Sequence, residues 1–290
     1  MKVTLNTERF GAVVTDLPAD LRDMTPADQR QLKDAFTEHG LLVLRGRPIT
    51  TAEQISFSST LGTLIDQAGQ GDYWFNLTNL GGGYDGPLCF HADFSNNQGL
   101  LSGACLYASV LPNGPTATIF ADTGAAYADL PAEMLERIAD LRSVHAAVVH
   151  GTVVDAPLRH RPETACEPRA EHPLVLRHPD TGKPMLFVSD MQTERILGLP
   201  KNESDALLNE LAAWIQQDKY VYRHQWQLHD LVAWDQVMMQ HSRASERVEG
   251  ERTLRRTSFT HPLYAERCQA RFDSMGGRGG RSGSQAKVMA

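Results

Sequence analysis

Residues 172–188 read HPLVLRHPDTGKPMLFV, and this stretch does most to decide the fold. Two apolar runs of strand length, at 174–176 and 185–188, flank the tetrapeptide Pro-Asp-Thr-Gly at 179–182. Proline fixes φ, aspartate hydrogen-bonds its own backbone and glycine accepts positive φ, so this tetrapeptide is typical of a turn. The stretch therefore predicts a β-hairpin.

Further short apolar runs on both sides of the hairpin predict more strands. They lie at 41–44, 231–234 and 257–260, and two more strands would join at the Pro-Asn-Gly-Pro turn inside 101–120. Helices are fewer. Thr25 caps one that Gly40 ends, Thr51 begins a second, and apolar spacing over 207–215 indicates a third. Strands outnumber helices and do not alternate with them. The chain is therefore predicted to be mainly β with flanking helices, and not a βαβ series.

The chain is predicted to form a single domain over residues 1–271, followed by a tail. Residues 150–172 are polar, rich in proline and arginine, and without period, so we interpret them as a loop that acts as a lid. Residues 272–290 are rich in glycine, serine and arginine and lack the apolar residues of a core. That composition predicts a disordered tail.

Composition excludes several classes of partner. The 290 residues are 41% hydrophobic and carry a formal net charge of -7, which argues against a general nucleic-acid binder. No apolar run approaches the roughly 18 residues that a membrane span needs, and the N-terminus lacks the pattern of a secretory signal. The four cysteines are widely spaced without a CxxC pair, as reduced thiols usually are. We therefore expect a cytoplasmic protein whose partner is neither nucleic acid nor membrane.

Two His-x-Asp motifs offer metal ligands, and the sequence distinguishes them. On a strand, residues i and i+2 project to the same side, so His91 and Asp93 can converge on one metal. His178 and Asp180 lie in the predicted hairpin turn, where both side chains are expected to be solvated. The first motif is therefore the candidate site.

A third ligand and two cations come from the C-terminal part of the chain. His241 lies in a predicted loop between two strands, and Arg252 and Arg256 follow it. Two imidazoles and one carboxylate suit a non-haem Fe(II) site whose other face stays open. An arginine eleven residues past His241 could then hold the carboxylate of a co-substrate.

Several segments together carry a resemblance to a known family. They are residues 40–46, 91–93, 172–199 and 230–241, with Arg252 and Arg256. Over residues 11–262 the chain resembles the taurine dioxygenase family of Fe(II)- and 2-oxoglutarate-dependent oxygenases, which includes the 2,4-dichlorophenoxyacetate dioxygenases. Two places depart from the family pattern. Gln236 stands where the family usually has Asn, and residues 67–88, where relatives contact substrate, do not match the taurine enzyme well.

The resemblance implies a double-stranded β-helix, the cupin-like jelly roll. It implies that His91, Asp93 and His241 form a facial triad of iron ligands and so the catalytic centre. The open positions would take 2-oxoglutarate and O2, with the distal carboxylate of 2-oxoglutarate held by Arg252 and the Thr118 hydroxyl. The expected reaction is oxidation of a substrate C–H bond, by hydroxylation, with release of succinate and CO2.

The substrate is expected to be a small molecule that carries a carboxylate, sulfonate or phosphate. Arg256 lies four residues after Arg252, so on a strand the two would share a face and one cavity. In relatives this arginine holds the anionic group of the substrate. Its alternatives here are a structural ion pair or a second contact to 2-oxoglutarate, while Arg255 is expected to face outward. Further candidates for substrate contact are Tyr73, Asn76 and Phe94.

Other functions remain open at the level of sequence. With the same cofactors the chain could desaturate, cyclise or oxidatively decarboxylate a substrate, as in secondary metabolism. A zinc-dependent hydrolase on a jelly roll could use the same two histidines and aspartate, although Arg252 would then have no role. A non-catalytic binding protein is the third alternative. The resemblance also makes a homo-oligomer a candidate assembly.

Overall fold

The computed structural model describes residues 1–6, 10–67, 69, 71–80, 86–148, 155–243 and 250–274. The strands are β1 (Lys2–Leu5), β2 (Ala12–Thr15), β3 (Leu41–Leu44), β4 (Thr63–Leu64), β5 (Trp74–Thr78), β6 (Leu88–His91), β7 (Gly103–Val110), β8 (Ala117–Asp122), β9 (Arg142–Val148), β10 (Ala165–Pro173), β11 (Val175–Arg177), β12 (Pro184–Leu186), β13 (Thr193–Ile196), β14 (Val221–Gln225), β15 (Leu231–Asp235), β16 (Met239–Arg243) and β17 (Thr253–Thr260). The helices are α1 (Pro26–His39), α2 (Thr51–Leu61), α3 (Thr123–Ala128), α4 (Ala132–Ile138), α5 (Lys201–Ile215) and α6 (Pro262–Ser274).

Two sheets form the core. The larger has the order β1-β2-β3-β15-β7-β17-β4, with β5 also paired to β17, and the smaller has the order β14-β8-β16-β6. Leu106 and Trp234 of the larger sheet and Phe120 of the smaller one belong to a single buried apolar cluster. The two sheets therefore share one core, which is the jelly roll of a mainly β chain with flanking helices, as the sequence predicted.

The helix ends follow their local sequence. Thr25 Oγ1 accepts the backbone N–H of Asp28, whose carboxylate accepts the N–H of Thr25, and Gly40 ends α1 with φ of 64°. Such reciprocal caps satisfy N–H groups that have no partner inside the helix. α2 begins at Thr51, as the sequence predicted, and its cap is Thr50 with Glu53.

The two first helices cover the outer face of the larger sheet. The rings of Phe36 on α1 and Phe259 on β17 lie 5.6 Å apart, and Phe57 of α2 is fully buried among them. Burial of each such side chain contributes about 1.5–3 kcal/mol. These contacts fix β17 from outside, so its inward-facing residues point into the core between the sheets.

The predicted loop at 150–172 is wrong in its second half. Residues 150–154 lie outside the described part of the chain, but Ala165–Pro173 forms β10, which pairs with β9. β10 is the outer strand of its sheet, where prolines are tolerated because one strand edge needs no partner. Before it, the buried Arg159 pairs with Asp190 at 2.8 Å. Whether the segment acts as a lid stays a prediction.

The predicted tail begins too early. α6 continues to Ser274, and its side chains Cys268 and Phe272 are buried. Gly99 lies so close to this helix that a Cβ there would come within 2.4 Å of the Cys268 nitrogen. The folded part of the chain therefore extends past residue 271, and residues 275–290 lie outside the described ones. No helix in the described ranges is long and apolar enough to cross a membrane.

Candidate active site

Three metal-ligating side chains meet where β6 ends beside β16. His91 is the last residue of β6 and pairs with His241, which lies in β16 and not in the loop that the sequence predicted. Asp93 Oδ1 lies 3.5 Å from His91 Nε2, and Asp93 Oδ2 lies 3.7 Å from His241 Nε2. The three donor atoms all lie within 4.8 Å of one another. The structure thus brings the three predicted ligands together.

The protonation states at this site fit a metal. His91 Nδ1 lies 2.8 Å from the Cys89 carbonyl oxygen, which can only accept, so Nδ1 carries the hydrogen and Nε2 keeps its lone pair. Burial, together with His91, lowers the pKa of His241 to about 3, so its imidazole is neutral. Burial alone would raise the pKa of Asp93, but the Arg256 guanidinium holds it well below its usual range. Two imidazoles and one carboxylate are the donors that Fe(II) takes in a facial triad.

The backbone at Asp93 is held by a residue that the sequence showed only as a departure from the family. Gln236 lies in the turn between β15 and β16, and its Oε1 accepts the Asp93 N–H at 2.7 Å. Its own Nε2 donates to the Leu101 carbonyl at 3.4 Å. The turn that precedes His241 is therefore tied directly to the segment that carries the carboxylate.

The second His-x-Asp motif supports that same turn. His178 is only 4% exposed, so the expectation of a solvated side chain is wrong for it, although Asp180 is partly exposed. His178 Nε2 lies 2.9 Å from Asp235 Oδ2, and the other oxygen of Asp235 accepts the N–H groups of Val237 and Met238. The hairpin packs on the β15–β16 turn, which is why this histidine is buried.

Arg252 and Thr118, the two residues predicted to hold a carboxylate, both lie near Arg243. Arg252 Nε is buried without a hydrogen-bond partner among the described residues. Burial, with the nearby charge of Arg243, lowers the pKa of Arg252 to about 10. Thr118 lies opposite Arg243 on the neighbouring strand, and its Oγ1 accepts the Trp226 Nε1–H at 3.0 Å. The hydroxyl hydrogen of Thr118 is thus left to donate, and a carboxylate is a suitable acceptor for that hydroxyl and for the Arg252 guanidinium.

Arg256 reaches the metal donors themselves. It is buried on the inner face of β17, where its Nη2 donates to Asp93 Oδ2 at 2.7 Å and its Nε donates to Ser258 Oγ at 3.0 Å. The Ser258 hydroxyl in turn donates to Gln67 Oε1 at 2.5 Å. The ion pair that the sequence offered as an alternative for Arg256 is therefore present. Ser258 could have been found from its i+2 spacing on the strand, whereas no local pattern indicates Gln67.

The register of β5 corrects one predicted substrate contact. Asn76 lies opposite Arg255, whose guanidinium donates to Gln54 Oε1 on the outer, helix-covered face of the sheet. Residues opposite each other in a sheet point to the same side, so Asn76 faces away from the metal donors. Phe75 lies opposite Arg256 and points to the same side of the sheet as that residue. Arg255 points to the opposite side from Arg256, as predicted, but packs under α2 and is only partly exposed.

Two further predicted contacts also point elsewhere. Tyr73 is 39% exposed and lines a surface groove with Lys33, Asp180 and His261, which contains none of the three metal donors. Phe94 follows Asp93 in a left-handed conformation with φ of 57°, and its ring packs edge-on at 4.7 Å against Phe272 of α6. The structure therefore gives Phe94 a packing role beside the site.

Comparisons with known proteins agree with this geometry. Residues 3–258 match the family described as "Taurine catabolism dioxygenase TauD, TfdA family". The chain is 28% identical to the alpha-ketoglutarate-dependent 2,4-dichlorophenoxyacetate dioxygenase of Burkholderia sp. (strain RASC), over 81% of this chain and 86% of that protein. It is 26% identical to an alkylsulfatase of Acinetobacter baylyi, over 87% and 83%. A solved structure of AAD-2 in complex with Mn(II) and N-oxalylglycine superposes with a TM-score of 0.74 at 25% identity, covering 90% of this chain and 97% of that one.

Proposed function

The chain belongs to the taurine catabolism dioxygenase TauD, TfdA family, and from this premise we propose that it oxidises a C–H bond of a small anionic molecule at His91, Asp93 and His241. As a member it is an Fe(II)- and 2-oxoglutarate-dependent dioxygenase that acts on a small molecule. Iron, 2-oxoglutarate and O2 supply the oxidising power when bound and yield succinate and CO2. The relatives do not favour a zinc hydrolase, and we propose hydroxylation as the outcome.

The convergence of three donors within 4.8 Å beside one guanidinium is the observation that carries the proposal. His91, Asp93 and His241 would hold the iron from one side, because β6 and β16 present both imidazoles on the same face. The His91 tautomer is fixed by the Cys89 carbonyl, so its Nε2 is ready to bind without reorganisation.

Arg252 and Thr118 would orient 2-oxoglutarate through its distal carboxylate. The support is physical: Arg252 is a partly buried cation beside a like charge, and its buried Nε lacks a partner among the described residues. A planar guanidinium matches a carboxylate with two parallel hydrogen bonds. Arg252 immediately precedes β17 and lies four residues before Arg256, so a co-substrate held by Arg252 would extend along β17 toward the metal donors.

Arg256 is the group that we propose for recognition of an anionic substrate. Its Nε and Nη2 are used by Ser258 and Asp93, but its Nη1 makes no hydrogen bond with another described residue. Phe75, opposite Arg256, would pack on the apolar part of the molecule. Two relatives are named for anionic compounds. One is a 2,4-dichlorophenoxyacetate dioxygenase, named for a carboxylate, and the other is an alkylsulfatase, named for a sulfate ester.

The test pairs each anion with a neutral partner of the same shape. Purified protein with Fe(II), ascorbate, O2 and 2-oxoglutarate is given aryloxyacetates and alkylsulfonates, each beside its own amide, and succinate is measured. We expect an acid in the panel to raise succinate release above the substrate-free rate while its amide does not. Equal stimulation by acid and amide would remove the anion from the proposal. Absence of iron-dependent succinate with every compound would contradict the proposed reaction.

A further inference from the structure

We propose that Ser258 and Gln67 are positioning residues that direct the Arg256 guanidinium onto Asp93, so that the metal-binding carboxylate is held in one orientation. The inference rests on the metal site proposed above. It concerns Ser258 and Gln67, neither of which is among the site residues predicted from the sequence.

The contacts form one continuous chain. Gln67 Oε1 accepts from Ser258 Oγ at 2.5 Å, Ser258 Oγ accepts from Arg256 Nε at 3.0 Å, and Arg256 Nη2 donates to Asp93 Oδ2 at 2.7 Å. Gln67, Ser258 and Arg256 are 3%, 1% and 6% exposed. Because water does not compete at such burial, each of these hydrogen bonds restricts its neighbour strongly.

The orientation of the Asp93 carboxylate depends on such hydrogen bonds because Asp93 lies outside helices and strands. It follows the end of β6, and Gln236 fixes only its backbone N–H. Its carboxylate lies 2.7 Å from Arg256 but 3.5 and 3.7 Å from the two imidazole nitrogens, so the guanidinium makes its closest side-chain contact. A carboxylate has two oxygens, and one can stay with Arg256 while the other faces a metal.

The guanidinium is planar, so it can bond Ser258 and Asp93 at the same time only when its plane is turned toward both. Its Nε contacts Ser258 and its Nη2 contacts Asp93, so rotation toward Asp93 is set by the serine. A lysine ammonium carries the same charge on a flexible stem and cannot reproduce that fork. The same hydrogen bonds also fix the direction of Nη1, which would give a substrate anion a fixed contact point.

The experiment uses variants that keep the charge, because removing a cation beside a metal site would itself favour a divalent ion. Mn(II) binding to the full chain is measured by calorimetry for Ser258→Ala, Arg256→Lys and Gln67→Leu. We expect Ser258→Ala and Arg256→Lys to raise the Mn(II) Kd about tenfold, the lower end of what lost outer contacts cost a metal site. Gln67→Leu should act in the same direction with a smaller effect, since it removes only the acceptor of the serine.

The matched control is Thr257→Val. Thr257 is adjacent on β17 and fully buried, but it faces outward and bonds Ser58 Oγ at 2.6 Å. We expect this variant to lower the melting temperature of the metal-free protein without changing the Mn(II) Kd. An unchanged Kd in Ser258→Ala and Arg256→Lys would contradict the positioning role of Ser258 and Gln67 without contradicting the metal site. So would an equal rise in Thr257→Val, whereas a parent chain that does not bind Mn(II) would overturn both.

Discussion

One motif occurs twice in this chain, as His91-Ala92-Asp93 and as His178-Pro179-Asp180, and the two copies have different surroundings. Both histidines are buried. At the first, Nδ1 is taken by a backbone carbonyl, and Nε2 faces Asp93 and His241. At the second, Nδ1 accepts the Asp180 N–H and Nε2 lies against Asp235, so both ring nitrogens are used.

The difference shows that the motif alone does not make a site. His91 is suited to bind a metal on two counts: one nitrogen is oriented by the protein, and the other keeps a free lone pair among further donors. His178 fails the second condition because Asp235 lies there, and that contact instead stabilises the turn before His241. The two copies therefore act on one site, the first as ligand and the second as support.

The largest effect, and the largest contrast between the two motifs, is expected when the acid of the first motif is removed. Asp93→Ala deletes a proposed ligand, and since lost outer contacts alone cost about 10–100-fold, we expect iron-dependent succinate release to fall by more than about 100-fold. Asp180→Ala removes partly exposed ion pairs with Lys33 and His261, which contribute at most about 1 kcal/mol, so activity should persist. A comparable loss in Asp180→Ala would contradict the distinction between the motifs.

The next largest effect is expected at the arginine that is proposed to hold 2-oxoglutarate beside the first motif. Arg252→Ala should raise the KM for 2-oxoglutarate at least about tenfold, because a desolvated charge pair is lost. The control is Arg255→Ala, whose guanidinium bonds Gln54, Thr51 and Ile49 on the opposite face. It should lower stability and leave that KM unchanged. Steady-state succinate formation at varied 2-oxoglutarate checks both, and an unaltered KM in Arg252→Ala would remove its assignment.

The smallest effect is expected at the supporting motif. His178→Ala leaves Asp235 without its histidine in a buried turn, and a buried polar group that loses its partner costs about 1–3 kcal/mol. Urea unfolding should show that loss, while succinate release per folded molecule at low temperature stays near that of the parent. If the rate fell as far as in Asp93→Ala with the fold intact, His178 would have a role beyond support.

Local features of the fold could be predicted because their physics acts over a few residues. Thr25 caps α1 and Gly40 ends it in the left-handed region, and the turn at 179–182 joins β11 to β12. The sequence missed β10, whose prolines and charges are typical of a loop but are tolerated on an outer strand. It also ended the domain before Phe272, because one buried aromatic gives no period to detect.

The candidate site, like the fold, has a part that the sequence predicts and a part that only the structure shows. His91, Asp93, His241, Arg252 and Arg256 could be selected from residue type and spacing, and the structure brings the first three and Arg256 together. Gln236 and Gln67 come from distant segments, and nothing in their own neighbourhoods distinguishes them from other buried polar residues, whereas Ser258 follows Arg256 at the i+2 spacing of a strand.

The sequence by itself determined the chemistry that is available: two imidazoles, a carboxylate, two guanidiniums and a chain of short strands. Only the tertiary structure decided which side chains share a face. Phe75, and not Asn76, lies across from Arg256. His178 lies buried against Asp235, although its place in a turn predicted a solvated side chain. The reason is that strand register is set by pairing over long separations, and a shift of one residue turns every side chain to the other face.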